Sequence, residues 1–284
     1  MPGASVGVFA SSYKVDPRPN VWLDAQDLTT MFTDDAGTQP VTANGDQVVT
    51  WKSKGSAADF TLKRTVGTAT YTTNLCGPSL HGLVFSAYRG AFSDGTITKN
   101  NGGGLTLMMA VHNFRGTPSN ARGTSFWFQS NQPGGYCHFN YFYYGGFNFY
   151  ETMGNPRSSA NFITYPGYTT AQIPNTGVVL YAVRADAQKN RVDVYINQRE
   201  TPFRTVGEYG TFNLTATAMV GSATDYFRAN VADFRLWCRR MDNDEFAMNF
   251  DGLKNRFCFE CCHPKQTCYQ PSTMFQALGD FGRH

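Results

Sequence analysis

Charge is scarce in this sequence. Asp, Glu, Lys and Arg make up 16% of its 284 residues, and the net charge is only +3. No basic run stands out; Arg239-Arg240 is a lone pair, read as solvated surface. A nucleic-acid footprint needs a dense basic stripe, so that class of partner is excluded. Long apolar runs are missing as well. No window reaches the roughly 18 apolar residues of a membrane span. The opening residues Met1 to Ala10 have neither a basic start nor an apolar core. No secretory leader is therefore expected, and synthesis in a cytosol-like compartment is. Catalytic signatures are equally thin. The sequence has no Gly-x-Ser-x-Gly elbow and no Gly-rich phosphate loop ahead of a helix. His81, His112 and His138 stand apart from one another and are read as structural residues.

What is abundant points to β-structure. There are 23 Phe, 15 Tyr and 28 Gly. Many aromatics, few charges and frequent glycine favour short strands joined by tight turns. A sandwich of roughly 200–250 residues is a common single-domain size, so one domain with extensions accounts for the length.

Along the chain, Pro2, Gly3, Pro17 and Pro19 interrupt any pattern, and residues 1–20 read as an N-terminal arm. Strands are expected at Val21–Ala25 and at Gln47–Lys52, the second preceded by an Asn44-Gly45-Asp46 turn. Further strands are expected at Ala69–Thr73, Gly82–Phe85, Leu105–Val111, Ser125–Gln129 and within Tyr136–Tyr150. Gly102-Gly103-Gly104 precedes one of them and is read as shaping a turn. Val178–Asp186 and Arg191–Asn197 form a hairpin if residues 187–190 are its loop. Asp186 then sits opposite Arg191 and Asp193 opposite Arg184, two cross-strand charge pairs. In the second strand Val192, Val194 and Ile196 take one face and Asp193 and Tyr195 the other. Phe212–Leu214 and Ala218–Gly221 continue the series. In Asn230–Arg239 the apolar parity, Ala232, Phe234, Leu236 and Cys238, is expected to face the core. One helix is expected: Asp242-Asn243-Asp244-Glu245 starts it, and Phe246, Phe250, Leu253 and Phe257 recur at helical spacing.

Three segments carry a family likeness. Trp22-Leu23-Asp24-Ala25 is followed by Val49-Thr50-Trp51. Val179–Val183 is followed by Val192–Asn197, and Val231–Trp237 by Met241–Phe246. In this order they resemble the concanavalin A-like lectin/glucanase superfamily, especially its laminin-G-like modules, over roughly residues 20–257, with the sandwich itself placed at 21–257. The sequence departs from the family at Lys52-Ser53-Lys54-Gly55, where an Asp/Ser/Gly turn is usual, and at Gln198, where Gly is usual. The resemblance implies an all-β, two-sheet antiparallel jelly-roll sandwich with a short C-terminal helix and extended terminal arms.

Glycoside hydrolases belong to that superfamily, and they need two carboxylates flanking the scissile bond. Sandwich glucanases of this kind carry Glu-x-Asp-x-x-Glu on one strand, and this sequence has no such run. Glu151, Glu200 and Glu208 each lack a partner at strand spacing, so the chain is read as non-enzymatic. The resemblance also raises calcium, for which Asp34-Asp35 and Asp242-Asn243-Asp244 are the dense acid groups. The latter fits a helix cap better, and no metal is assigned.

Two features remain for contact with a partner. Between Tyr136 and Tyr150 aromatics occupy both parities. About half are expected in the core, leaving Tyr136, Tyr141, Tyr143, Tyr144 and Tyr150 as contact candidates for sugar rings or protein. The second is the tail 258–284. Cys258, Cys261, Cys262, His263 and Cys268 lie within eleven residues, compatible with zinc, with disulfides (one reaching Cys238) or with free thiols. Neither extension has a core of its own, and modules of the resembled kind occur in virus particles. The leading expectation is a structural virion component, made in the host cytoplasm and contacting capsid proteins. The alternative is a lectin-like module binding glycans; a glycoside hydrolase ranks third.

Overall fold

The computed structural model describes residues 18–57, 61–75, 80–99, 104–112, 124–130, 136–143, 146–152, 162–164, 178–186, 191–202, 204–207, 214–222 and 230–257. Its early strands are β1 (Val21–Asp24), β2 (Met31–Phe32), β3 (Thr50–Lys52), β4 (Thr61–Thr72), β5 (Gly82–Lys99) and β6 (Leu105–His112). Next come β7 (Thr124–Ser130), β8 (Tyr136–Tyr143), β9 (Gly146–Thr152), β10 (Phe162–Thr164) and β11 (Val178–Asp186). The last are β12 (Arg191–Ile196), β13 (Arg204–Gly207), β14 (Leu214–Ser222), β15 (Asn230–Trp237) and helix α1 (Asn243–Phe257).

The organising strand is β6, whose eight residues are all buried. Such a strand must be covered on both faces and paired on both edges. It pairs with β11 on one side and β15 on the other. Its odd residues Leu105, Leu107, Met109 and Val111 enter the sandwich core, with Val179, Tyr181, Val183, Val194, Ile196, Phe234 and Leu236 from its neighbours. Its even residues Met108 and Ala110 lie on the outer face, under α1. Burying one such side chain contributes about 1.5–3 kcal/mol.

All pairing is antiparallel, in the order β10-β9-β8-β7-β14-β5-β15-β6-β11-β12-β13. β1 adds to β15, while β4, β3 and β2 follow one another beyond β5. The chain is thus an all-β, two-sheet sandwich with one C-terminal helix, as the sequence leads one to expect. The long strand β5 joins the two sheets. Its start pairs with β15 at Leu83 and Val84, and its later part, Gly90–Lys99, pairs with β14. The pairing of β4 with β5 carries register shifts at Arg64/Val66 and Gly67/Ala69. The expected fragments Ala69–Thr73 and Gly82–Phe85 are therefore parts of much longer strands.

Several local expectations hold in detail. The β11/β12 register places Arg184 opposite Asp193 and Asp186 opposite Arg191. At residue 197, before the position where Gly was missed, Asn197 itself takes the left-handed conformation (φ 58°). Its carboxamide oxygen accepts from Leu180 N–H at 2.8 Å. Gly104 sits at φ +113°, where a Cβ would lie 2.1 Å from the Ala185 carbonyl oxygen, so only glycine fits. In β15 one expectation is corrected. Phe234, Leu236 and Cys238 face the sandwich core, but Ala232 lies under the helix and Val231 takes its place. A bulge between Val231 and Asp233 reverses the alternation there.

Helix α1 buries Phe246, Phe250, Leu253 and Phe257 against the outer face of the β15-β6-β11-β12 sheet. Asp242 caps it, accepting from Glu245 N–H at 2.8 Å. Arg239, read from the sequence as solvated surface, is ion-paired to Glu245.

Charge ties this helix to the first strand. Asp24 and Asp233 are direct register partners on β1 and β15, exposed to 1% and 0%. Arg256 of α1 bridges them, donating to Asp233 at 2.8 Å and to both oxygens of Asp24 at 2.9 Å. Arg235 grips Asp233 at 2.9 and 3.1 Å, and the Trp22 indole N–H reaches it at 3.3 Å. Lys54 joins Asp24 at 3.1 Å and Asp27 at 2.7 Å, and stacks over the Trp22 ring. Ser53 Oγ accepts from Trp22 N–H. Gly55 passes so close to Asn20 that a Cβ would lie 2.3 Å from its carbonyl oxygen. The Trp-Leu-Asp-Ala and Lys-Ser-Lys-Gly segments are therefore two halves of one structural knot. Pro19 and Asn20 already belong to it through backbone bonds to Ser56 and Ala57.

Candidate binding pocket

The hairpin β11/β12 runs antiparallel, so its charged residues gather at one end. Arg184 and Asp186 leave β11 there, and Arg191 and Asp193 enter β12. The start of α1 packs over the same end, bringing Arg240 and Asn243. Together they wall a pocket of about 860 Å³, with Arg199 and Glu200 at its side and Tyr195 and Phe246 beneath. The two rings lie 4.7 Å apart, and both belong to the buried cluster under the helix.

The charge pairs inside are not the ones strand register alone leads one to expect. Asp193 is 1% exposed and draws three donors: Arg191 Nε at 2.8 Å, Arg240 Nη2 at 3.0 Å and Thr205 Oγ1 at 2.7 Å. Burial alone would push its carboxyl up. The Thr205, Arg191 and Arg240 contacts outweigh that and hold it below the usual carboxylate range. Arg191 is raised by the same partnership. Arg240, read from the sequence as surface, is thus a structural member of this wall. It also lies 3.8 Å from Asp186.

Arg184 has turned away from Asp193. It donates to Asn243 Oδ1 at 3.0 Å and to the Met241 carbonyl at 2.6 Å, and its guanidinium lies over the Phe246 ring. Both acceptors are neutral. Its Nε is buried without a hydrogen bond. Burial, and next the nearby Arg240 charge, lower its proton affinity.

Asp193 carries a pH prediction. A carboxylate held below its free value stabilises the fold above about pH 5 and loses that contribution as pH falls through the depressed value. Denaturant midpoints from pH 6 to pH 3 should therefore fall steeply for the native chain. They should fall less for Asp193→Asn, which starts lower. Parallel curves would show that this carboxylate does not govern acid stability.

The contact candidates proposed from sequence are placed only in part. Tyr136, Tyr141 and Tyr143 lie on β8 and Tyr150 on β9. There Tyr136 pairs with Thr152 in the backbone ladder, and Tyr150 pairs with His138 and Phe162. Their side chains, and Tyr144 altogether, lie outside the described residues. So do Cys258, Cys261, Cys262, His263 and Cys268, together with residues 1–17. Cys238 is described. It is buried, 1% exposed, in the sandwich core, and its backbone N–H donates to the Asn20 side-chain oxygen. His112 is buried, which lowers its proton affinity, and lies 3.3 Å from the Asn230 amide. It is a core histidine. Asp34 is used in its own loop, accepting from the N–H groups of Thr38 and Gln39. Among the described residues no cluster of three His, Cys, Asp or Glu side chains could hold a metal. No helix among them is long and apolar enough to cross a membrane.

The pocket itself was not assembled from sequence. Its hairpin acids and arginines were noticed, but Arg240, Asn243 and Arg199 are 47 to 59 residues away from their partners Asp193, Arg184 and Asp251. The one usable signal was Asp193, an acid on an apolar strand that had to find cations.

By sequence, no family model and no curated protein matches the chain. By structure it is similar to domain 4 of an extracellular GH43 arabinanase from Geobacillus stearothermophilus, solved in complex with arabinotriose. The TM-score is 0.53 at 13% identity, covering 80% of this chain and 96% of that one. It is also similar to a botulinum neurotoxin type C structure, from work on cell entry through two ganglioside molecules (TM-score 0.51, 11% identity, 83% of this chain). A further receptor binding domain matches at TM-score 0.51 and 12% identity over 84% of this chain. The chain spans about half the length of each of the latter two, 51% in both. Likeness at such identities establishes a shared architecture, a jelly-roll-type β-sandwich.

Proposed function

We propose that this chain is a non-catalytic, lectin-like carbohydrate-binding module of the concanavalin A-like kind. The observation that carries the reading is the pocket at the β11/β12 end. Sugars are held by planar polar groups that make paired hydrogen bonds to hydroxyls, set in a concave site with apolar backing. The pocket offers carboxylate, guanidinium and carboxamide groups around a rigid aromatic floor. The arabinanase domain that shares this architecture over nearly its whole length was solved with a bound trisaccharide. The non-catalytic part of the reading is supported by Asp193, whose carboxylate is engaged by two arginines and a threonine rather than open to act in a catalytic pair. Attachment to virion or capsid proteins, with the host-cytoplasm origin and virion location that go with it, rests on the sequence of the two extensions. It gains nothing from the pocket.

A glycan array followed by titration calorimetry tests the reading. Binding of at least one oligosaccharide class is expected, weakened about tenfold or more by Asn243→Ala, which removes a hydrogen-bonding group from the wall. Tyr141→Ala and Tyr143→Ala serve as a second pair. Loss of binding in these alone would move the site to β8. An array without hits, together with turnover of any polysaccharide, would sink the proposal.

A further inference from the structure

Arg184 is an unusual side chain for a sugar pocket that takes only neutral ligands. It is 5% exposed, yet no carboxylate of the described residues lies within ion-pair distance of it. Its direct neighbours are a carboxamide oxygen, a backbone carbonyl, an aromatic face and the Tyr195 side chain; Asp193 attracts it from farther off, but burial and the Arg240 charge outweigh that attraction. A buried guanidinium in such company is costly unless an anion compensates it. The other charges of the pocket are already committed. Asp193 is shared between Arg191 and Arg240, Arg199 is paired with Asp251 at 2.8 Å, and Asp242 caps the helix. The start of the 15-residue helix α1 faces the same space through Asn243 and adds the positive end of its dipole. Two acids oppose an anion here: Asp186, held near Arg240, and the exposed Glu200 at the rim.

We propose that the pocket receives the carboxylate of an acidic sugar, with Arg184 as the group that meets it. This deepens the carbohydrate reading and rests on it. The ligand carboxylate supplies the missing counter-charge. Its hydroxyls use Asn243 and Asp186, and Glu200 sets the upper limit on how anionic the ligand can be before repulsion dominates. Arg184 is then both a structural strut, through Met241 and Asn243, and a determinant of specificity.

The test uses the full chain and three probes: a glucuronic-acid-containing tetrasaccharide, the same tetrasaccharide with its carboxylates reduced to alcohols, and inorganic sulfate. The acidic tetrasaccharide should bind about tenfold tighter than its reduced form, the worth of a charge-assisted hydrogen bond in a shielded site. Arg184→Met, which keeps the stem over Phe246, should erase that difference, so that the acidic and reduced forms bind this variant equally. Glu200→Gln should tighten the acidic ligand about threefold, by removing one like charge. That exposed position decides the matter if Arg184→Met fails to fold. Equal binding of the acidic and reduced forms would overturn this inference and leave the carbohydrate reading standing. No binding of either would remove both. Full displacement by millimolar sulfate would overturn it in favour of a general anion site, and so would acidic binding unchanged in both variants.

Discussion

Arg256→Met is expected to destabilise the sandwich by about 3–5 kcal/mol at pH 7, the range for breaking a buried ion pair by removing one partner. The substitution keeps an unbranched apolar stem and removes the guanidinium that bridges β1 and β15. It leaves Asp24 and Asp233 facing each other in register, with Lys54 on the first and Arg235 on the second. Two carboxylates buried side by side repel strongly in a low-dielectric interior. The effect has a signature that lost packing would not share. Burial already pushes the Asp233 carboxyl up, Arg235 and Arg256 pull against it, and Asp24 adds to the rise. Without Arg256 that rise grows. A carboxyl whose folded value is raised stabilises the fold below its unfolded value and loses that contribution as pH climbs through the folded one. The penalty of the variant should therefore be largest at neutral pH and shrink towards pH 4, as Asp233 takes up a proton. Urea titrations of both proteins at several pH values measure it. A pH-independent penalty would mean that Arg256 acts through packing alone.

Phe250→Ala should cost a similar amount, about 3–5 kcal/mol, for a different reason. Phe250 is fully buried between Phe246 and the outer face of the sheet. Truncation leaves a cavity that the rigid strands β6 and β11 cannot collapse to fill. For a domain of this size the thermal midpoint should drop by about 10 °C. Because the same helix presents Arg256, the two substitutions should not add. Once Phe250→Ala loosens α1, part of the bridge is already lost, and the double variant should fall short of the sum. Additivity would indicate that the helix face and its terminal arginine are energetically separate.

The parts of the fold legible in the sequence were those with a clean period. Arg191–Asn197 alternates regularly, so the faces of that strand and its register against Val178–Asp186 could be read. Phe246, Phe250, Leu253 and Phe257 share one helical stripe, and all four are buried. The period fails where the structure bends. β5 runs for 18 residues from one sheet into the other, and its later half, with Gly90 and Gly95, shows no alternation to follow. The bulge in β15 misled for the same reason: one extra residue breaks the alternation at Val231 and Ala232, while Phe234, Leu236 and Cys238 beyond it keep the expected face. The arginines of the pocket were hidden for another reason. A pair such as Arg239-Arg240 looks solvated in sequence, because partners on a distant hairpin and on the first turn of a helix leave no mark at short range. The same holds for Lys54, whose departure from the family pattern supplies the cation that Asp24 and Asp27 require.

The pairing of β1 with β15 has a consequence for how the chain is made. The indole of Trp22 and the carboxylate it touches are 211 residues apart, and Arg256 reaches Asp24 across 232. A first strand whose ladder neighbour is the last cannot close its sheet until nearly all of the chain has left the ribosome. At about 5–20 residues per second that is a wait of tens of seconds, during which Val21 and Leu23 have no core to enter. Folding of such a topology is slow and comes late, and the emerging chain depends on staying out of aggregates in the meantime. Once formed, the same junction brings the two ends of the sandwich together. A permuted chain in which they are joined by a short linker and opened elsewhere would carry the first and last strands as near neighbours in sequence, and should fold faster than the natural order.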